Sequence, residues 1–203
     1  MKFPTRGLYA ITQPENKAID QVVREVEAAL KGGAVVVQYR DKNPIDAIFL
    51  ARRLLAVCHA YGVPLLINDS VELALEVGAD GVHLGKDDGD IAEARKRLGP
   101  EAIIGVSCYN DLSKACAAVE HGADYVAFGR FFPSGSKPLA SPADIETLKQ
   151  AKQQINVPIV AIGGILPENG RQLLEAGADL LAVIGGIFDH DSQAAASAYR
   201  ALF

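Results

Sequence analysis

Three side chains with anion-binding chemistry alternate along one short stretch of the chain: Gln38, Arg40 and Lys42, directly after the apolar run Ala34-Val35-Val36-Val37. Alternate residues of an extended strand share a face, so an amide and two cations converge on one side. Without a ligand, the same stretch reads as a solvated strand end before a turn at Asn43-Pro44. Farther on, Asn68-Asp69 and the pair Asp87-Asp88 each close an apolar run. Carboxylates beside cations suit a hard divalent ion shared with a polyphosphate. They equally suit N-caps of the helices that follow them. Ser107 ends another apolar run, and the loop Phe131-Phe132-Pro133-Ser134-Gly135-Ser136-Lys137-Pro138 holds two hydroxyls, a glycine and a lysine. That composition fits an anion cradle or an unliganded turn alike. Two glycine pairs, Gly163-Gly164 and Gly185-Gly186, allow backbone N–H groups to approach a phosphate closely.

These residues need elements to hold them, and the chain supplies a regular alternation. Short apolar or β-branched runs at Leu8–Thr12, Ala34–Arg40, Pro64–Ile67, Gly81–Leu84, Ala102–Val106, Tyr125–Phe128, Pro158–Ile162 and Leu180–Ile184 read as strands. Segments with helical apolar spacing follow each: 17–31, 44–61, 70–77, 89–98, 111–121, 142–154, 167–176 and 191–202. A sequence echo divides them. Lys31-Gly32-Gly33-Ala34, Val77-Gly78-Ala79-Asp80, His121-Gly122-Ala123-Asp124 and Ala176-Gly177-Ala178-Asp179 each close a helix and open a strand. Their alanines lie 45, 44 and 55 residues apart, close to two strand–helix units each.

Strands that read as continuous apolar runs belong in a parallel sheet covered by helices. Eight units of about 25 residues over 203 residues predict an α/β fold, a (β/α)8 TIM barrel spanning residues 1–203 as one domain. A doubly wound open sheet is the runner-up. In a barrel the active site lies at the C-terminal strand ends, where all the candidate residues fall, and a phosphate commonly sits between the loops after strands 7 and 8.

Composition narrows the partners. With 20 basic and 25 acidic residues the formal charge is −5, which argues against a general nucleic-acid or anionic-membrane surface and requires any basic site to be focused. No apolar stretch is of spanning length, since Gln153 to Pro167 is broken by Pro158 and Gly163-Gly164. Three scattered cysteines, Cys58, Cys108 and Cys116, form neither a disulfide framework nor a metal spacing, and the expected location is cytoplasmic. The expected partners are two small phosphorylated molecules, with no nucleic acid and no membrane; the sequence leaves the oligomeric state open.

At this point the chain resembles the thiamine phosphate synthase family along nearly its whole length. The similarity is carried by Gly7-Leu8-Tyr9-Ala10-Ile11-Thr12, Gln38-Tyr39-Arg40-Asp41-Lys42, Ile67-Asn68-Asp69, Gly81-Val82-His83-Leu84-Gly85, Gly105-Val106-Ser107, Phe128-Gly129 with Ser134-Gly135-Ser136-Lys137, and Ala161-Ile162-Gly163-Gly164-Ile165. The resemblance implies a transferase that joins 4-amino-2-methyl-5-(diphosphooxymethyl)pyrimidine to 4-methyl-5-(2-phosphooxyethyl)thiazole, or to its carboxythiazole phosphate form, giving thiamine phosphate and diphosphate. It implies that Gln38, Tyr39, Arg40, Asp41, Lys42, Asn68, Ser107 and Lys137 hold the pyrimidine diphosphate, with Arg40, Lys42, Ser107 and Lys137 catalytic. It implies one Mg²⁺ per subunit on Asp69 and Asp88, and a thiazole phosphate held by Ser134, Gly135, Ser136, Gly164, Ile184 and Gly185.

The chain departs from the family's usual residues at Lys86, Arg130, Ser134, Ser136 and Gly185, where Gln, Pro, Thr, Thr and Ser are usual. Serine keeps the hydroxyl and Gly185 keeps its N–H, so the departures touch side-chain detail rather than the binding mode. His83 reads as a hydrogen-bonded barrel residue rather than a base, and Cys108 as a packing residue. The rivals are a thiazole tautomerase-like paralogue, which has no diphosphate to hold, and a non-catalytic barrel that senses a phosphorylated ligand, which needs only the glycine cups.

Overall fold

In the computed structural model, which describes residues 1–85, 90–133 and 142–203, eight parallel strands close into a barrel in strict chain order. The strands are β1 (Gly7–Ile11), β2 (Ala34–Tyr39), β3 (Leu65–Asn68), β4 (Gly81–Leu84), β5 (Ile103–Tyr109), β6 (Tyr125–Phe128), β7 (Ile159–Ile162) and β8 (Leu180–Val183). Outside them lie α1 (Ile19–Gly32), α2 (Ala47–Ala60), α3 (Val71–Val77), α4 (Ile91–Leu98), α5 (Leu112–Glu120), α6 (Ile145–Gln154), α7 (Pro167–Glu175), α8 (Gly185–Phe188) and α9 (Ser192–Arg200). The expected (β/α)8 barrel is therefore the observed fold, and the open sheet is excluded because β1 pairs with β8.

Most element ends shift by one to three residues from the sequence reading, and three differences have a clear local reason. The helix read from residue 44 begins at Ala47, because Asp46 caps it by accepting the Phe49 N–H at 3.0 Å. Strand β5 runs on past Val106 to Tyr109, with a register shift against β6 between Ser107 and Tyr109. The Gly185-Gly186 pair starts the one-turn helix α8, since the Ile184 carbonyl accepts the N–H groups of Ile187 and Phe188 at 3.0 and 3.1 Å.

Strand alternation splits the apolar residues into two cores. One lies inside the barrel and includes Tyr9, Val36, Leu66, Ile103, Tyr125, Val160 and Leu180. The other fills the space between sheet and helices, where Leu54, Leu65, Ile104, Phe128, Leu148 and Leu173 are fully buried. Phe3 contributes to the interior from the N-terminal segment, stacking on Tyr125 with ring centroids 4.0 Å apart.

The Gly-Ala-Asp echo has a bonding explanation that the spacing alone does not give. Asp80 Oδ2 accepts the Leu65 N–H at the start of β3, Asp124 Oδ2 the Ile104 N–H in β5, and Asp179 Oδ2 the Ile159 N–H at the start of β7. Each carboxylate also meets a cation-forming side chain from the helix that leads into that odd-numbered strand: His59 of α2, Arg95 of α4 and Lys152 of α6 respectively. The glycines before them, Gly78, Gly122 and Gly177, all have positive φ, which leads the chain out of the helix and into the strand. β4, β6 and β8 are thus each pinned at their start to the preceding odd-numbered strand.

Candidate active site

The barrel opens at its C-terminal end into a cavity of about 790 Å³. Its walls follow from strand alternation. In β2 the inward sequence Val36, Gln38, Arg40, Lys42 climbs from the apolar interior to the mouth, and the last three line the cavity. In β3 the same parity carries Leu66 to Asn68, and in β4 it gives His83 and Gly85.

The β2 wall is held in place by β1. Thr12, buried at the end of that strand, bonds to both backbone groups of Arg40. Beside it Asn68 donates from Nδ2 to Asp69 Oδ2 at 2.6 Å. Asp69 itself has φ 64, a left-handed conformation that a non-glycine residue adopts at some cost and that clusters at functional sites. The N-cap reading of Asp69 is overturned. Ser70 is the cap of α3, its Oγ accepting the Leu73 N–H at 3.1 Å, which leaves the Asp69 carboxylate in the cavity wall. Likewise α4 is capped by Asp90, whose Oδ1 accepts the Ala92 N–H at 2.7 Å.

The opposite wall is backbone. Gly163 and Gly164, with φ 105 and 63, and Ile184, Gly185 and Gly186 line the cavity between β7 and β8. A Cβ at Gly163 would collide with Arg130, and one at Gly164 with the backbone of Phe132 and Pro133. Gly185 faces Asp189 closely enough that a side chain at 185 would collide with its carboxylate.

The floor is a continuous run of hydrogen bonds. Gln38 Nε2 donates to Tyr9 Oη at 2.7 Å, Tyr9 Oη lies 2.8 Å from Tyr125 Oη, Tyr125 Oη lies 2.8 Å from His83 Nδ1, and His83 Nε2 lies 2.9 Å from Ser107 Oγ. Burial pushes the Tyr9 and Tyr125 hydroxyls well above the usual tyrosine range, so both stay protonated. His83 is thus the hydrogen-bonded barrel residue expected, and Cys108 is buried, its S–H in weak contact with the Val106 carbonyl.

Of the candidate residues, Gln38, Arg40, Lys42, Asn68, Asp69, Ser107, Gly164, Ile184 and Gly185 come together around this one cavity. Two do not line it. The Tyr39 ring packs in the outer core, and Asp41 turns back to accept from the Asn43 N–H at 3.0 Å and the Tyr39 hydroxyl at 3.4 Å. Their parity, opposite to Gln38 and Arg40, is the physical reason. Asp88, Ser134, Gly135, Ser136 and Lys137, together with Lys86 and Asp87, lie outside the described residues. Sequence reasoning missed Gln13, Glu15 and Asp189, which line the cavity from the β1–α1 loop and the end of α8. It also missed Tyr125, which forms part of the floor. The inward parity of β6 could have signalled Tyr125; nothing local marks the other three.

Comparison with known proteins gives a consistent result. A family model described as thiamine monophosphate synthase matches residues 8–187. A thiamine-phosphate synthase of Nitrosococcus oceani is 52% identical over 206 residues, covering 100% of this chain and 95% of that protein. One from Aromatoleum aromaticum is 49% identical, covering 98% of this chain and 96% of the relative. Among solved structures, a thiamine phosphate pyrophosphorylase from Pyrococcus furiosus superimposes with a TM-score of 0.87 at 34% identity, over 98% of this chain and 95% of the other.

Proposed function

The chain belongs to the thiamine monophosphate synthase family, and from that membership we propose which of its residues carry the family's condensation. The reaction joins the pyrimidine diphosphate to the thiazole phosphate, giving thiamine phosphate and diphosphate. The observation that supports the assignment is the division of one cavity into a cationic wall at β2–β3 and a glycine wall at β7–β8. Two substrates with different anions need two such walls.

Arg40 and Lys42 bind the diphosphate, with Lys137 as a third cation. Gln38 and Asn68 supply neutral donors around the pyrimidine end, and Ser107 supplies one toward the leaving diphosphate. Tyr39 and Asp41 contribute through the backbone of β2 and its turn, since their side chains face away. The N–H groups at Gly164, Ile184 and Gly185 take the thiazole phosphate, to which Ser134, Gly135 and Ser136 are assigned as further ligands from the family resemblance.

In the chemical step the bond between the pyrimidine methylene and the diphosphate oxygen breaks, and its electron pair leaves on the diphosphate. The positive charge spreads over the aminopyrimidine ring. The thiazole nitrogen then donates its lone pair to the methylene carbon, forming the C–N bond with no proton released. No general base is required, so the main catalytic work is stabilising charge on the leaving group. Arg40, Lys42 and Lys137 do this by hydrogen bonding to its oxygens.

The residues present fit a divalent ion on the same side. Asp69 offers a carboxylate to the cavity beside the cationic wall while Ser70 takes the capping role, and with Asp88 it would hold one Mg²⁺. When bound, that ion would supply further charge neutralisation on the diphosphate. The tautomerase and sensor readings gain nothing from the comparisons, in which relatives at about half identity over full length carry the synthase name. Purified protein with both substrates and Mg²⁺ is expected to release diphosphate only when both substrates are present. No release under those conditions overturns the assignment.

A further inference from the structure

The floor of the cavity links two of its residues through three that carry no assigned role. Gln38 and Ser107 stand on β2 and β5, and Tyr9, Tyr125 and His83 connect them. All three intermediates are nearly inaccessible, at 1%, 0% and 9% exposure, so leaving one of their polar atoms without a partner is costly. Two neutral hydroxyls and one imidazole in series permit only two directions of donation.

The Gln38 amide selects between them. Its Nε2 donates to Tyr9 Oη, so Tyr9 must send its own hydrogen onward, and its one remaining partner among the described residues is Tyr125. Tyr125 then donates to His83 Nδ1, which places the imidazole hydrogen on Nε2, and Nε2–H donates to Ser107 Oγ. In the reverse direction the Tyr9 hydrogen would be buried with no acceptor, a loss comparable to a broken hydrogen bond.

We propose that Tyr9, Tyr125 and His83 are positioning residues that carry the donor direction of the Gln38 amide across the barrel floor and thereby fix Ser107 as a donor into the cavity. No proton is transferred along the run. The direction alone is communicated, and it decides whether Ser107 offers a hydrogen or a lone pair to what lies above it. This rests on the reading that the cavity takes a diphosphate, whose leaving oxygens gain from a donor and are repelled by a lone pair. Glycine at position 105 supports the same construction, because a Cβ there would collide with the Tyr125 ring.

The test is the tautomer of His83 in substrate-free protein labelled with ¹⁵N-histidine, recorded by two-bond ¹H–¹⁵N correlation at pH 8.5, with a His83→Gln variant assigning the signal. The wild type is expected to show Nε2–H. Gln38→Glu replaces the amide by an acceptor, so Tyr9 donates to it, the run reverses and His83 becomes Nδ1–H. An Nδ1–H or imidazolium form in the wild type overturns the proposal, as does an unchanged tautomer in a folded Gln38→Glu protein. Tyr9→Phe cuts the run, and adding Gln38→Glu to it is expected to leave the tautomer where Tyr9→Phe alone puts it; a shift overturns the proposal as well. Tyr9→Phe is also expected to lower saturated diphosphate release by about tenfold, the scale of one hydrogen bond to a charged group. The tautomer does not depend on turnover. If the tautomers behave as expected and the wild type releases no diphosphate, the relay stands and the functional reading falls.

Discussion

Thr12 and Arg40 are joined by a reciprocal pair of hydrogen bonds: the Thr12 hydroxyl accepts the Arg40 N–H at 2.9 Å and donates to the Arg40 carbonyl at 3.1 Å. β1 and β2 run parallel and both end here, so neither has a further ladder partner for these groups. One hydroxyl therefore closes the sheet at the point where the chain of Arg40 leaves it. The Thr12 N–H extends the same seam by donating to the Gln38 carbonyl at 2.9 Å.

Thr12→Val keeps the shape and removes both side-chain bonds. Because Thr12 is buried, Arg40's two backbone groups would be left without replacements, at a cost of about 1–3 kcal/mol. Urea titration is expected to show that loss, and steady-state kinetics a raised KM for the pyrimidine diphosphate with a smaller change for the thiazole phosphate. Equal changes in both KM values would separate Arg40 from the diphosphate wall.

The aspartates of the Gly-Ala-Asp echo offer a stability test away from the cavity. Asp80 is the most enclosed of the three, its side chain 8% exposed against 40% for Asp124. Replacing it by alanine strands the Leu65 N–H, which water reaches less readily than the Ile104 N–H beside Asp124. Asp80→Ala is expected to lower the unfolding free energy by about 1–3 kcal/mol and Asp124→Ala by less. Denaturation midpoints for the two variants check the order, and a larger loss at Asp124 would contradict the pinning role.

Barrel topology was legible in the sequence because a parallel sheet leaves two signals at once: apolar runs such as Ala34-Val35-Val36-Val37, and glycines where helices return to strands. The cationic wall was legible for a related reason. Strand parity continues beyond the last ladder bond, so Gln38, Arg40 and Lys42 could be placed on one face by counting. What counting does not reveal is which of two neighbouring polar residues takes a local bond. Asp69 and Ser70 both suit a helix cap, and only the backbone turn at Asp69, with φ 64, gives the cap to Ser70 and the cavity to Asp69. The floor was hidden for a different reason, since Tyr9, Tyr125 and His83 meet across the barrel from strands far apart in sequence.

Metal dependence tests the carboxylates directly. Asp69→Ala and Asp88→Ala, alone and combined, are expected to weaken or abolish activation by Mg²⁺ while the protein keeps its thermal transition. Chelation by EDTA should suppress diphosphate release in the wild type and have little further effect on the double variant. An unchanged Mg²⁺ titration in the double variant would remove both residues from the site. For comparison, Lys137→Ala is expected to lower kcat by about 10²–10³, the effect of deleting one preorganised donor to developing negative charge.

The pH dependence of stability should be set on the alkaline side by buried thiols and hydroxyls. Burial pushes the Cys58 and Cys108 thiols up from 9.0 to about 12, and the Tyr199 hydroxyl from 10.0 to about 12. Below pH 9 both folded and unfolded chains keep these protons, and stability is insensitive to them. Between about pH 9 and 12 the unfolded chain releases them while the folded one does not, so the unfolded state binds fewer protons and stability falls as pH rises. The steepest slope is about 1.4 kcal/mol per pH unit for each such group. Urea midpoints are therefore expected to hold steady from pH 7 to 8.5 and drop progressively to pH 11. At pH 8 the same burial leaves Cys58 and Cys108 as unreactive thiols, whereas Cys116 is partly exposed. Iodoacetamide should alkylate only Cys116 in the folded protein and all three cysteines in urea, as read by intact mass. Rapid native alkylation of Cys108 would mean that the outer layer at β5 opens far more readily than its packing allows.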